Sequence, residues 1–186
     1  MPRFLLTTAA LTLGLASGAH ALEYRAVVPA QSSVTFEYQQ MGVTMDGRFK
    51  RFMAELVFDP ARPQAAKAAF DIDLSSIDAG SPEADDAAAE PDWFNFQRFP
   101  RARFVSKSVR ALGNHRYELR GVLTLKGKSR EMAVPVSYRP AGKTAVLDGA
   151  FSLRRLDFGV GAGPWADTDT VANEVKVRVR LTVSGQ

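Results

Sequence analysis

Val175-Lys176-Val177-Arg178-Val179-Arg180-Leu181-Thr182-Val183 alternates apolar and polar residues without a break. Period two places the valines and Leu181 on one face and the basic residues and Thr182 on the other. That is the signature of a strand with one face buried and one solvated. It points to antiparallel sheet, because strands of parallel sheets are apolar on both faces.

The same period recurs along the chain. Val34, Phe36 and Tyr38 form one row, and Phe52, Ala54, Leu56 and Phe58 a second. Ala68, Phe70, Ile72 and Leu74 follow, then Tyr117, Leu119, Gly121, Leu123 and Leu125. Met132, Val134, Val136 and Tyr138 form another row, and Leu147, Gly149, Phe151 and Leu153 the next. The segment from Arg101 to Val109, which includes Phe104, is strand-like but shows no clear inner face. Turn signals separate these runs at Met45-Asp46-Gly47, Asp59-Pro60, Gly113-Asn114, Lys126-Gly127-Lys128 and Pro140-Ala141-Gly142-Lys143. About eight or nine strands joined mostly by hairpins predict an up-and-down barrel or a sandwich.

Two segments break the pattern. The first, Ser75 to Pro100, contains a short helix signal: Ser81 as N-cap, Pro82 at the first position and acids in the first turn. From Ser75 to Arg98 it holds six acids against one arginine. The second runs from Asp157 to Thr170 through Gly159-Val160-Gly161-Ala162-Gly163-Pro164-Trp165. Both tryptophans, Trp93 and Trp165, lie in these segments. Long insertions in a hairpin-rich chain act as lids or core plugs.

Composition narrows the chemistry. The 186 residues carry a net charge of +4, no cysteine and two histidines. Disulfides, thiolate metal sites and Cys nucleophiles are excluded, as are multi-His metal sites within one chain. Met1-Pro2-Arg3, the apolar run to Ala16 and the Ala19-His20-Ala21 site have the layout of a cleavable secretory signal. The expected division is therefore a signal peptide over 1–21 and one exported domain over 22–186. Cleavage removes Arg3, leaving 23 basic residues against 20 acidic, a charge of +3. It also leaves His115 alone, beside Gly113-Asn114 in a turn, without a matched acid or nucleophile.

Other chemistry reads weakly. Asp167-Thr168-Asp169 lacks the third acid of a calcium loop, and Asp85-Asp86 sits where acids complement a helix dipole. The glycine run at 159–163 meets Pro164 and Trp165 rather than a phosphate-binding helix. From Arg101 onward sixteen basic residues face seven acids. Export argues against nucleic acid as their partner. Attraction to an anionic membrane face, or charge that keeps a sheet from aggregating, accounts for them.

Eleven of the twelve phenylalanines follow the signal, many on inward rows. The residues alone leave two uses of that interior open. It is packed solid by its own side chains, or it encloses one elongated ligand, with Gly121 and Gly149 leaving room.

The ordered stretches Ser33-Val34-Thr35-Phe36, Gly47-Arg48-Phe49, Asp71-Ile72-Asp73-Leu74-Ser75-Ser76-Ile77-Asp78-Ala79-Gly80, Trp93-Phe94-Asn95, Phe99-Pro100, Ala102-Arg103-Phe104-Val105-Ser106, Gly121 to Gly127 and Arg155-Leu156-Asp157-Phe158-Gly159 resemble the YceI-like family of polyisoprenoid-binding periplasmic proteins. The resemblance implies a lipocalin-like, antiparallel eight-stranded β-barrel, with a short helix and long loops at its mouth. It implies an apolar tunnel that holds a polyisoprenoid, quinone-like or fatty chain, with no cofactor, metal or catalysis. Expected lining residues are Phe36, Tyr38, Phe52, Phe70, Ile72, Phe104, Leu119, Leu123, Val134, Val136, Phe151 and Leu153. Trp93, Phe94 and Trp165 are expected to cap the chain, and Arg48 and Arg155 to meet a polar head group. Gln40 stands where many members have His, and Ala84 to Glu90 is Ala-rich and acidic where the family has an Arg/Asp-rich stretch. Gly163 to Thr168 is similar to a branch with relatives associated with cytochrome b561-type membrane proteins. The alternative is a ligand-free barrel serving a membrane redox partner or a stress response, and a homodimer is compatible with either.

Overall fold

The structure is a computed structural model that describes residues 22–185; the signal segment expected over 1–21 lies outside the described residues. Eleven strands and one helix follow in order: β1 (Tyr24–Val27), β2 (Ser33–Gln40), β3 (Val43–Phe49), β4 (Phe52–Val57), β5 (Lys67–Asp73), β6 (Ile77–Asp78), α1 (Pro82–Ala89), β7 (Arg101–Gly113), β8 (Arg116–Leu125), β9 (Lys128–Ala141), β10 (Thr144–Arg154) and β11 (Glu174–Gly185). They form one antiparallel sheet in the order β4-β5-β7-β8-β9-β10-β11-β2-β3-β6, with β1 beside β11.

The sheet closes on itself through the chain. Only a bend at Lys50 and Arg51 separates β3 from β4, so one bent strand pairs with β2 at one end and β5 at the other. The described residues thus hold eleven strands where eight were expected; eight remain when that bent strand is counted once and the short β1 and β6 are set aside. β1 adds a second clasp: Tyr24 N donates to Phe58 O at 2.8 Å, and Phe58 N returns to Tyr24 O at 3.0 Å.

The inward rows are those set by the alternation. In β11, Lys176, Arg178 and Arg180 are exposed, while Val175, Val177 and Val179 are half-buried and Leu181 is buried. β7 lacked a legible face because a bulge between Ser106 and Ser108 shifts its phase. Ala102, Phe104 and Ser106 face inward before it, and Val109 does so after it.

The expected turn at Met45-Asp46-Gly47 is corrected. Those residues lie within β3, and the hairpin turns at Met41 and Gly42, with φ of 50° and 79°. Gly47 serves packing instead: a Cβ there would fall 2.2 Å from Cζ of Phe36, its cross-strand partner. Gly121 is similar, with Phe104 Cζ 2.4 Å from the position of its missing Cβ. The room at Gly121 is therefore taken by a ring of the protein itself.

The interior has two halves. At one end Tyr138 meets Tyr24 and Phe58 edge to face, Phe58 meets Tyr117 in the same way and stacks on Tyr24, and Leu147, Leu181 and Val183 complete the cluster. The Tyr24 and Tyr138 hydroxyls lie 3.0 Å apart, so each phenol is partnered inside an apolar plug. Burial raises the Tyr138 pKa, and the Tyr24 hydrogen bond raises it further. At the other end a second cluster, including Leu74, Leu123, Leu125, Phe158 and Val160, forms the floor beneath the two long insertions. Among the described residues no helix is long and apolar enough to cross a membrane.

Candidate functional site

The half of the barrel away from the tyrosine plug encloses a cavity of about 400 Å³. Its walls come from β2, β3, β5, β6, β7, β8, β10 and β11, and its cover from α1 with Trp93 and Phe94 and from the segment 155–173. α1 forms as the sequence dictates. Ser81 Oγ accepts from Ala84 N at 3.2 Å, Pro82 opens the helix, and Glu83 and Asp85 sit in its first turn. Asp85 accepts from Ala79 N at 2.6 Å and so ties the helix to the end of β6. Ala84, Ala87 and Ala88 then face the cavity, and their small side chains leave it open.

Ten of the expected residues line this space: Phe36, Tyr38, Ile72, Trp93, Phe94, Leu123, Phe151, Leu153, Arg155 and Trp165. Seven do not. Phe52, Phe70 and Val136 pack against the tyrosine plug. Phe104 belongs to the floor cluster, its ring over Gly121. Val134 is buried beside Gly149, and Leu119 is half-buried on β8 away from the cavity. Arg48 lies outside the barrel, its guanidinium 3.1 Å from Asp78, which Lys50 also meets at 3.2 Å. It edges a separate outer groove of about 660 Å³ with Glu37, Asp46, Lys176 and Arg178.

Arg155 lines the cavity in a different role from the one expected. It is only 2% exposed. Nε donates to Ala172 O at 3.1 Å, Nη1 to Val160 O and Gly161 O at 3.0 and 2.8 Å, and Nη2 to Trp165 O and Val171 O at 2.7 and 2.6 Å. A guanidinium has five N–H groups, and all five are engaged by backbone carbonyls. No hydrogen is left for a head group. Burial away from water pulls its pKa below the ordinary arginine value. Arg155 thus shapes the 159–173 loop around itself. Gly161 permits this: its φ is 71°, and a Cβ there would sit 2.1 Å from Arg155 Nη1.

Lys126 does the same between the two insertions. Its Nζ donates to Pro91 O at 2.8 Å, to Gly159 O at 2.7 Å and to Asp92 O at 3.2 Å. Burial lowers its pKa, and Asp92 opposes that shift. Ala162 N adds a bond to Asp92 O at 2.9 Å.

The cavity's polar groups are few. Tyr38 donates its hydroxyl to Ala79 O at 2.9 Å, and burial followed by Asp85 raises its pKa. Glu83, at the helix start, is held below the usual carboxylate range by its own backbone N–H and by Ser81. The indole of Trp93 packs under the Arg155 guanidinium, 5.6 Å from its ring centroid. Its Nε1–H is buried with no acceptor among the described residues. Residues missed from the sequence include Val34, Phe49, Leu74, Ile77, Val160, Val171, Val175 and the α1 alanines. Some of these carried a signal: Val34, Leu74 and Val175 lie on inward rows, and an Ala-rich helix is a thin wall. Among the described residues no three metal-ligating side chains converge.

An antiparallel barrel, plugged at one end and hollow at the other, is the architecture of a small-molecule-holding barrel. The YceI-like domain model matches residues 26–183, and the chain belongs to that family. A UPF0312 protein of Pseudomonas putida strain W619 is 30% identical over 183 residues, covering 92% of this chain and 95% of the relative. Among solved structures, Burkholderia cenocepacia BcnA superposes with a TM-score of 0.82 at 38% identity, covering 84% of this chain and 99% of that one. A polyisoprenoid binding domain from Saccharophagus degradans has a TM-score of 0.66 at 15% identity, covering 90% of this chain and 100% of that one. That likeness is one of fold.

Proposed function

We propose that this chain is an exported, non-enzymatic binding protein that holds a long apolar chain, isoprenoid or fatty, in the hollow half of its barrel. The observation that carries the reading is the cavity itself: about 400 Å³ walled by Phe36, Ile72, Leu123, Phe151 and Leu153 and covered by two segments fastened to each other. That volume falls within the ~300–1,000 Å³ of small-molecule sites. Apolar burial at ~25 cal/mol per Å² supplies the affinity. The printed description of the Saccharophagus domain as polyisoprenoid binding supports the ligand class. The tyrosine plug limits how deep a chain can run, so a long ligand leaves its tail or its head at the mouth beside Gln40 and Trp165. Export rests on the layout of residues 1–21, and a cytochrome b561-type membrane partner on the 163–168 similarity.

Native mass spectrometry of protein purified from its host tests this. A bound species released into organic solvent is the expected result. A clean apo mass, with no uptake of added isoprenoids or fatty chains, contradicts it.

A further inference from the structure

We propose that the hairpin arm joining β2 to β3 docks the mouth of the barrel onto a zwitterionic lipid surface, with Met41 and Val43 entering the apolar layer. The proposal goes beyond the binding function above and rests on it only for what passes through the mouth.

The arm stands clear of the barrel. β11 pairs with β2 as far as Lys176 and Glu37, while β2 and β3 stay paired out to Gln40 and Val43. Beyond Glu37 the arm is braced along one edge by the 170–172 segment: Met41 N donates to Thr170 O and Ala172 N to Gln39 O, both at 2.9 Å. On its other edge β3 has a strand partner only at Arg48 and Phe49. Gln39 to Thr44 are exposed without a break. Met41 and Val43 are the two most exposed large apolar side chains among the described residues, at 77% and 60%. Val43 lies opposite Gln40, and Met45 opposite Tyr38. Cross-strand partners share a face, and Tyr38 and Gln40 line the cavity. The cavity wall thus continues past the rim as an open strip, with Trp165 exposed on the neighbouring loop.

Met41 does not serve the turn. Met41 and Gly42 have φ of 50° and 79°, a two-residue hairpin turn in which Asn-Gly is the favoured pair. A methionine at positive φ is conformationally unfavourable, and its exposed side chain recovers little of that by packing within the chain. Such a tip fits a partner outside the chain, and charge says which. From Tyr38 to Met45 no residue is charged. Glu37 and Asp46 stand at the foot of the arm, Asp167 and Asp169 on the exposed loop beside it, and Glu83 on the cavity lining. Lys176 meets Glu37 at 3.7 Å, and Arg154 and Glu174 face each other across β10 and β11. The surplus around the mouth is therefore acidic and repels an anionic surface. Arg178 and Arg180 lie further down β11, opposite Thr35 and Ser33. A zwitterionic bilayer offers Met41, Val43 and Trp165 an apolar layer without that repulsion.

The test is flotation of protein purified from its host with vesicles of phosphatidylcholine, alone or mixed with phosphatidylglycerol. Co-flotation with phosphatidylcholine is expected, weakened by phosphatidylglycerol and recovered as salt screens the repulsion. Met41→Asn combined with Val43→Thr gives the turn its favoured residue and removes the apolar tip. Vesicle affinity should fall about tenfold or more, with a urea midpoint equal to or above that of the parent. Failure to float with phosphatidylcholine overturns the proposal. So does binding that phosphatidylglycerol strengthens and salt weakens, which assigns docking to the basic sheet. A variant that floats as well as its parent overturns it, as does a lowered midpoint, which gives the tip a role in the fold. A dimer of the parent that the variant loses assigns the tip to a second copy of the chain and overturns it too. Uptake of a prenyl chain is read separately by mass spectrometry. Docking without uptake contradicts the binding function and leaves the arm's role standing; uptake without docking does the reverse.

Discussion

The indole rings of Trp93 and Trp165 meet with centroids 5.6 Å apart, and this contact joins the two longest non-strand segments over the cavity. Trp165 is 37% exposed, so it acts as a cover more than as core. Trp165→Ala should cost stability only about 1 kcal/mol, in the range of an aromatic pair. It should speed release of a bound prenyl probe about tenfold, since contact losses act mainly on dissociation. Stopped-flow displacement beside a urea titration separates the two effects. Equal release rates in variant and parent would remove Trp165 from the cover.

Arg155 should matter for folding more than for ligand choice. Arg155→Leu strands the carbonyls of Val160, Gly161, Trp165, Val171 and Ala172. Losing a buried, charge-assisted network of this kind should cost about 3–5 kcal/mol. Arg155→Lys keeps the charge with three donors and should recover only part. The check is the urea midpoint at unchanged m-value. A midpoint within error of the parent would show that the loop does not depend on this clasp.

Acid should find Asp59. Its carboxylate is 4% exposed; Arg62 donates to it at 2.8 Å and Ala61 N at 2.8 Å, and these bonds hold its pKa below the ordinary value against burial. A pKa lowered in the folded state gives stability that is full above the unfolded value of about 3.9 and lost as pH falls through the folded one. The unfolding midpoint should therefore drop below about pH 4, and less steeply in Asp59→Asn. Parallel curves would exclude Asp59 from the acid limb.

Alkali should find the tyrosine plug. Burial raises the pKa of Tyr138, with the Tyr24 bond adding to it, and burial raises that of Tyr117. A raised folded pKa gives stability that is full below the unfolded value of about 10 and lost as pH rises toward the folded one. Tyr138→Phe should cost about 1 kcal/mol at neutral pH through the lost hydroxyl pair and flatten the decline above about pH 10. An alkaline limb unchanged in the variant would contradict this.

The strands were legible because a one-sided sheet imposes period two on each strand that spans it. Val175 to Val183 shows that period, and so do the rows through Val34, Tyr117 and Leu147. Legibility failed where a local event breaks the period, as at the β7 bulge between Ser106 and Ser108. It failed too where a turn-forming dipeptide is recruited for packing, as at Asp46-Gly47 under Phe36. The division of the interior was hidden for another reason. Which inward residues fill the barrel depends on Tyr24 and Phe58 reaching Tyr138 and Tyr117, far apart in sequence. Phe52 and Phe70 therefore read the same as Phe36 and Phe151, although only the latter pair lines the cavity. Arg155 was misread because its partners are backbone carbonyls, which leave no mark in a side-chain pattern.

The central claim is that the hollow half of the barrel holds a chain. The most direct measurement is a high-resolution crystal structure of protein purified from its native host without delipidation. Continuous elongated density running from the mouth beside Trp165, past Trp93 and Phe36, to Leu123 is the predicted result. A cavity collapsed onto Phe36 and Phe151, or one holding only discrete water peaks, would contradict it.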